Sequence, residues 1–251
     1  MVKVYYQDDF VTLYHGDALE IMKSLPQADA VITDPPYGVT SLDWDCWPDG
    51  WAELAMNIAP QLWCFGSMRM FFDKVDQFAG WKLAQDIVWE KHNGSNSAND
   101  RFRRLHEHAL HFYHGDWRSR HKEQQYTNDA TARTVRRKKK PQQWGEIGEN
   151  HYSSEDGGPR LMGSVIYARS CHGYATNETQ KPEAIVLPLI EFSVPKGGLV
   201  IDCFAGSGTT LAVAKKTGRR AIGIEKRESQ CADIVRRLSQ GDLLAFVESS
   251  A

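Results

Sequence analysis

The chain has 251 residues, 41% hydrophobic and 25% charged, enough for one large α/β domain or one domain with a sizeable insertion. Its five cysteines (Cys46, Cys64, Cys171, Cys203, Cys231) are odd in number, scattered and without a C-x-x-C pair, which argues against a disulfide framework or a cysteine zinc site. The net charge is −2, no apolar run approaches the ~18–20 residues of a membrane span, and Met1-Val2-Lys3-Val4-Tyr5-Tyr6 has no signal-peptide core, so a soluble, cytoplasmic protein is expected.

Strand-like and helix-like stretches alternate from the start. Val11 to Tyr14 reads as a strand ending at His15-Gly16-Asp17, and Leu19 to Leu25 as a short helix stopped by Pro26. Ala30-Val31-Ile32-Thr33 is a compact apolar strand that halts at Asp34-Pro35-Pro36-Tyr37-Gly38, because two prolines forbid further pairing. Trp51 to Ala59 has a helical pattern, Gln61 to Phe65 that of a strand, and Phe71 to Phe78 is helical again. Trp81 to Trp89 and His108 to Tyr113 are further strands. From Asp116 to Thr179 the apolar period vanishes and Gln, Asn, Gly, Ser and basic residues dominate, which reads as a loop-rich insertion. Regularity returns with a helix near Pro182 to Phe192, a strand Leu199 to Asp202 and the turn Cys203-Phe204-Ala205-Gly206-Ser207-Gly208. A helix (Thr209 to Lys216), a strand (Ala221 to Glu225) and a final helix (Glu228 to Leu238) complete the chain. Strands interleaved with helices imply a doubly wound, mostly parallel α/β sheet covered on both faces.

The small net charge hides an asymmetry. Residues 101–140 hold twelve Lys/Arg and four Asp/Glu, a local +8, whereas the remainder, eighteen basic against twenty-eight acidic, carries −10. The run Arg136-Arg137-Lys138-Lys139-Lys140 is its densest point. A basic block in an acidic chain points to a polyanion-facing surface, with a solvated loop as the plain alternative.

Two motifs carry chemistry. A strand, a glycine-rich turn, a helix and a second strand ending in an acid form a nucleotide-binding half of a doubly wound fold. Glu225, seventeen residues past Gly208, is placed to accept hydrogen bonds from both hydroxyls of a ribose. Taken alone this unit also fits a dinucleotide. Against that, Leu211 replaces the third glycine of G-x-G-x-x-G, and Asp202 before the turn would crowd a pyrophosphate but suit a cationic amino-acid group. The second motif, Asp34-Pro35-Pro36-Tyr37, sits at the C-terminal end of a buried strand, where open α/β sheets place ligands. An exocyclic base amine is a poor nucleophile because its lone pair is delocalised into the ring. Asp34 can accept a hydrogen bond from that amine, the rigid prolines can aim a backbone carbonyl at its other hydrogen, and Tyr37 can stack on the base.

Together, Asp34-Pro35-Pro36-Tyr37 and the later Asp202-Cys203-Phe204-Ala205-Gly206-Ser207-Gly208-Thr209-Thr210 resemble the β-class amino-methyltransferases of bacteria and phages. The resemblance takes in His15-Gly16-Asp17-Ala18-Leu19, Trp89-Glu90-Lys91, Gln180-Lys181-Pro182 and Ile222-Gly223-Ile224-Glu225, nearly everything outside residues 116–178. It implies a seven-stranded Rossmann-like methyltransferase sheet, circularly permuted. The family's unpermuted sheet runs from the glycine-turn strand through the Glu strand and the Gly-Asp strand to the D-P-P-Y strand, whereas this chain begins at the third. It implies a catalytic half over residues 1–115, a target-recognition insertion over 116–178 and a cofactor-binding half over 179–251. The implied cofactor is S-adenosyl-L-methionine. Asp202, Phe204, Gly206 and Gly208, with Ser207, Thr209 and Thr210 of the same motif, would line its methionine end; Glu225 would hold the ribose and Asp17 the adenine. Asp34 would border the same ligand, and Lys181 lies in the remaining cofactor-side motif. The implied substrate is double-stranded DNA, and the charge asymmetry makes Arg136 to Lys140 the residues expected to contact it. Asp at position 34 favours adenine N6 over cytosine N4, where many enzymes carry Ser. A homodimer and a restriction endonuclease partner are compatible with the family but are marked by no residue here.

Other signals yield less. Five of nine histidines (His106, His108, His111, His114, His121) cluster, but Leu110 stands where an H-E-x-x-H helix needs histidine, and no metal is expected. No Pro-Cys dipeptide offers the nucleophile of C5-cytosine chemistry. Rival readings are methylation of RNA or of a protein glutamine, which usually goes with Asn at position 34, and an inactive DNA-binding module, against which Asp34 and Asp202 both argue.

Overall fold

The structure, a computed structural model, describes residues 3–38, 44–95, 100–137, 150–171 and 180–249. In chain order the elements are β1 (Val4–Gln7), β2 (Val11–His15), α1 (Ala18–Met22), β3 (Ala30–Thr33), α2 (Trp51–Ile58), β4 (Gln61–Gly66), α3 (Met68–Asp73), β5 (Lys82–Ser95) and β6 (Arg104–Tyr113). Then follow β7 (Tyr126–Thr127), β8 (Arg133–Arg137), β9 (Asn150–Ser154), β10 (Arg160–Leu161), β11 (Val165–Tyr167), α4 (Glu183–Ser193), β12 (Leu199–Asp202), α5 (Thr209–Lys216), β13 (Arg220–Glu225) and α6 (Glu228–Ser249). They pack as two units, Met1–Glu123 with Ser164–Ala251, and Gln124–Gly163.

The larger unit is built on one mixed sheet in the order β1-β2-β13-β12-β3-β4-β6-β5-β11. Its middle consists of the most apolar runs. Ala30, Val31, Ile32, Val200 and Ile201 are wholly buried, and every residue of β4 is buried, as expected of parallel strands covered on both faces. Alternation divides them: Ile32 and Val200 face one core with α4, α5 and α6, while Val31 and Ile201 face a second core with α1, α2 and α3. Each such large side chain contributes roughly 1.5–3 kcal/mol by leaving water.

The sheet has nine strands among the described residues, not the seven expected. The two additions are edges. β1 pairs antiparallel with β2, and β11 pairs parallel with β5. Neither has an apolar period: β1 is exposed at three of four positions, and Val165 and Tyr167 of β11 are about 60% exposed. β11 falls in the stretch that composition marks as loop. Backbone pairing with an existing edge, not burial, makes it a strand. Phe71 to Phe78, expected as one helix, is α3 followed by a tight turn over Val75–Phe78.

The smaller unit holds two antiparallel pairs, β7 with β10 and β8 with β9. Asp156 accepts the Ala132 amide at 2.6 Å and Ser154 donates to the Thr131 carbonyl at 2.7 Å, tying the β8–β9 pair at its base. Arg133, Arg136 and Tyr152 are exposed on this pair.

One of the clustered histidines is a core residue. His111 stacks on Trp63 with ring centroids 4.2 Å apart, and burial holds it neutral, its pKa pushed down to about 3. Trp63 in turn donates its indole N–H to Ser193 Oγ at 2.8 Å, both groups buried. Ser193→Ala leaves that N–H without an acceptor and should cost about 1–3 kcal/mol; urea unfolding with an unchanged slope and a lowered midpoint is the expected result.

Candidate active site

Strands β2, β13, β12, β3 and β4 are mutually parallel, so their C-terminal ends form one edge. Three end in or next to an acid: Asp202 and Glu225 close β12 and β13, and Asp34 follows β3. The pairing of β3 with β12 sets Thr33 beside Asp202, to which it donates at 2.7 Å. The Phe204 amide is shared between Thr33 Oγ1 and Asp202 Oδ1, each at 3.2 Å. Burial pushes the Asp202 carboxyl up to about 6, Thr33, Thr210 and the Phe204 amide oppose that, and the charge of Asp34 adds to it.

The glycine turn is held from behind and in front. Gly206 and Gly208 adopt φ of 50° and 72°, in the left-handed region, and a Cβ at Gly208 would come within 2.9 Å of Ile234. Gly206 donates its amide to Glu225 Oε2 at 2.9 Å, and Arg227 donates its own to Oε1 at 2.8 Å. Glu225 therefore orients the turn as well as facing the cleft. Arg237 of α6 donates to the Ser207 carbonyl at 3.1 Å and to Thr209 Oγ1 at 3.0 Å, and pairs with Glu183 of α4. Asp17 caps α1 by accepting from the Leu19 amide at 2.9 Å, and its other oxygen lies 3.6 Å from Lys226 Nζ.

Around Asp34 the charges alternate. Tyr37 donates its hydroxyl to Asp34 Oδ1 at 2.5 Å, and Lys181 donates to Oδ2. Burial and the Asp34 charge hold the Tyr37 phenol well above its ordinary range, so it remains a donor. Lys181 also faces Glu107 Oε2 at 3.5 Å, and the other oxygen of Glu107 is paired with Lys91. Burial would push the Lys181 ammonium down, but Asp34 and Glu107 together hold it above its usual value.

Asp34, Tyr37, Lys181, Asp202 and Glu225 line one cleft of about 540 Å³. Of the residues expected at the reaction and the cofactor, Asp17, Asp34, Pro35, Pro36, Tyr37, Lys181, Asp202, Phe204, Gly206, Ser207, Thr209, Thr210 and Glu225 border it. Gly208 does not; it stands behind the turn as the residue before α5. Trp44, Asp45, Lys226 and Arg227 also border it and were not anticipated. Arg227 lies over the Trp44 ring at 4.9 Å. The sequence signal for Lys226 and Arg227 is simple, since they directly follow Glu225 at a strand end. Glu107 and Lys91 carry a subtler one, a charged residue two places from a buried one on each strand (Ala109, Trp89). Of the basic run, Arg136 is exposed on β8 of the smaller unit and Arg137 ends that strand, while Lys138, Lys139 and Lys140 lie outside the described residues. Among the described residues no group of three His, Cys, Asp or Glu is arranged for a metal, and no helix is long and apolar enough to cross a membrane.

Comparison with known proteins gives the family and the fold. The N6/N4 methyltransferase family model, described as DNA methylase, matches residues 28–236. Type II methyltransferase M.ScaI of Streptomyces caespitosus is 27% identical over 94% of this chain and 84% of its own length. Type II methyltransferase M.HinfI of Haemophilus influenzae is 26% identical over 94% of this chain and 70% of its own. Among solved structures, the M1.HpyAVI–SAM complex superposes with a TM-score of 0.61 at 24% identity, covering 91% of this chain and 98% of that one. PvuII DNA methyltransferase, described as cytosine-N4-specific, gives 0.64 at 15% identity, covering 94% and 89%. The structural likenesses establish a shared α/β methyltransferase fold. The family match spans most of the chain, which belongs to the N6/N4 DNA methylase family.

The Asp202 environment has a measurable consequence. Its carboxyl titrates near 6 when folded and near 3.8 otherwise, so the folded chain holds an extra proton between those values. The stability from that proton is complete below about pH 4 and gone above about pH 6. Relative to Asp202→Asn, the ligand-free protein should lose on the order of 2–3 kcal/mol across that window, read by denaturant unfolding at each pH.

Proposed function

We propose that this DNA methylase family member is a site-specific methyltransferase acting on the N6 of an adenine flipped out of double-stranded DNA, with S-adenosyl-L-methionine as donor. The observation that carries the reading is the meeting of Asp34-Pro35-Pro36-Tyr37 and the Asp202 glycine turn in one cleft, through the pairing of β3 with β12. When bound, the donor would supply an activated methyl group on a sulfonium sulfur. The cleft suits such a cation. Its walls carry five acids (Asp17, Asp34, Asp45, Asp202, Glu225) against three bases (Lys181, Lys226, Arg227). Asp202 and the turn would hold the amino-acid end, Glu225 the ribose, and Asp17 the adenine ring.

The chain's own part in the transfer is electrostatic and positional. Asp34 accepts one hydrogen of the exocyclic amine and a carbonyl of the proline pair the other, which favours a pyramidal nitrogen with a localised lone pair. Tyr37 fixes Asp34 and offers its ring to the base. The carboxylate at position 34, where many cytosine N4 enzymes carry Ser, supports adenine. The β-class, circularly permuted reading is supported by the D-P-P-Y strand preceding the glycine-turn strand in the chain while β2, β13, β12 and β3 lie side by side.

Asp34→Ala should lower kcat by at least about a hundredfold while calorimetry still detects cofactor binding, because the lost contact is made mainly in the transition state. Mass spectrometry of nucleosides from DNA treated with the wild-type chain should show N6-methyladenine; N4-methylcytosine in its place would overturn the base assignment.

Residues 101–178, with the basic run, are proposed to contact DNA and choose the target. The local charge of +8 in residues 101–140 and the exposed Arg133 and Arg136 support this. Replacing Arg136, Arg137 and Lys138 with Ala should weaken cognate and scrambled duplexes alike and flatten the salt dependence by a slope of about one per lost phosphate contact. The methylated site should not change, since phosphate contacts position and base contacts specify. Unchanged slopes in a salt series would mark the run as a solvated loop.

A further inference from the structure

Behind the Asp34–Lys181 pair lies a second pair that the transfer as described does not use. Glu107 of β6 gives one carboxylate oxygen to Lys91 and turns the other, Oε2, toward Lys181 Nζ at 3.5 Å. Oε2 is buried and, among the described residues, makes no hydrogen bond. A buried anionic oxygen without a donor is costly and calls for a reason. Burial would raise the Glu107 carboxyl, but Lys181 and Lys91, with Arg104, hold it down at about 2, so it stays ionised and available.

Asp34 is in the opposite condition. One of its oxygens is taken by the Tyr37 hydroxyl and the other by Lys181. Each oxygen keeps a second lone pair, but with a full countercharge on it Asp34 is a weakened acceptor, and it holds a substrate amine more strongly once one of these donors moves off. The tyrosine is tied to the same loop, three residues on. The lysine comes from a different segment, on a flexible stem, with its ammonium 5.4 Å from the centre of the Phe65 ring. Its side chain is only 10% exposed, so an ammonium leaving Asp34 gains little from water. The vacant acceptor on Glu107 can take it over, because a shift of about half an ångström turns a 3.5 Å contact into an ordinary hydrogen bond.

We propose that Glu107 is a positioning residue for methyl transfer, a second berth that takes over the Lys181 ammonium as Asp34 turns to the substrate amine, with Lys91 fixing Glu107 for the exchange. The role rests on the methyl-transfer reading, whereas the sharing of the lysine rests on geometry alone.

Two measurements on the full chain test it. Glu107→Gln keeps the shape and removes the charge. It should lower kcat about tenfold or more while the KM for DNA and the calorimetric affinity for S-adenosyl-L-methionine stay within about threefold. Glu107→Asp should restore part of kcat. Separately, Asp34→Asn and Glu107→Gln are compared singly and together by thermal unfolding. Each single variant leaves Lys181 one counter-ion and the double leaves none, so the double should lose about 4 °C or more beyond the sum of the singles. Additive losses overturn the shared berth, and a kcat for Glu107→Gln within twofold of wild type overturns its role in transfer. Should Glu107→Gln fail to fold, Lys91→Met releases the same carboxylate; lowered kcat with retained cofactor affinity supports the proposal and unchanged kcat overturns it. A wild-type chain that methylates no DNA would count against the functional reading instead. The unfolding comparison, which needs no activity, would still decide whether the lysine is shared.

Discussion

The hydrogen bond from Thr33 to Asp202 joins residues 169 apart in the chain, and the site exists only because those two are neighbours. It follows from the parallel pairing of β3 with β12, two four-residue apolar strands buried on both faces. A one-residue slip would turn Ile32 and Ile201 to the wrong cores, so register is strongly specified. That register places the last residue of each strand at one edge and sends both chains out as turns, one stiffened by two prolines and one loosened by glycines. On the proposed reading the rigid backbone would serve the reacting group and the open backbone a ligand.

Four side chains beside that edge alternate in sign: Asp34, Lys181, Glu107, Lys91. Buried ion pairs seldom repay their desolvation, so the row is poorly explained as a source of stability. What it does is keep each group charged at a fixed place. The elements supplying it explain how. β4 and β5 reach this edge by their C-terminal ends and the antiparallel β6 by its N-terminal end, so Glu107 and Lys91 arrive from adjacent strands. Lys181 is brought in by the segment before α4, where Thr209 donates to its carbonyl at 3.0 Å. The glycine turn thereby also fixes the backbone from which the lysine springs.

Much of this was legible in the residues because the signal was local. An apolar run, a hard stop at Asp34-Pro35-Pro36 and a second run ending in Asp202 before glycines each declare a strand end with chemistry attached. What was not legible depended on partners distant in sequence. β1 and β11 are strands by edge pairing, with no periodicity of their own to announce them. Gly208 carries the motif's signature, yet its lack of a side chain serves contact with Ile234 of α6 and not the cleft. Glu107 sat between two histidines and read as part of a failed metal pattern. Only its distance to Lys181 shows what it faces.

Two carboxylates at adjoining strand ends receive opposite treatment, and that asymmetry gives the site a direction. Asp34 has a full countercharge in Lys181, while Asp202 has only neutral donors and sits in the field of Asp34, which helps push its carboxyl up to about 6. Asp202 therefore lacks the one thing a cationic amino-acid group supplies. Binding such a group favours the ionised form of Asp202, and by linkage ionisation favours binding. A cation held at Asp202 also offsets the repulsion between the two acids, which eases the presence of a carboxylate at position 34 when Lys181 moves away from it. On the proposed reading the donor thus does more than deliver a methyl group. At the Asp202 end it would also supply positive charge that makes release of the lysine tolerable.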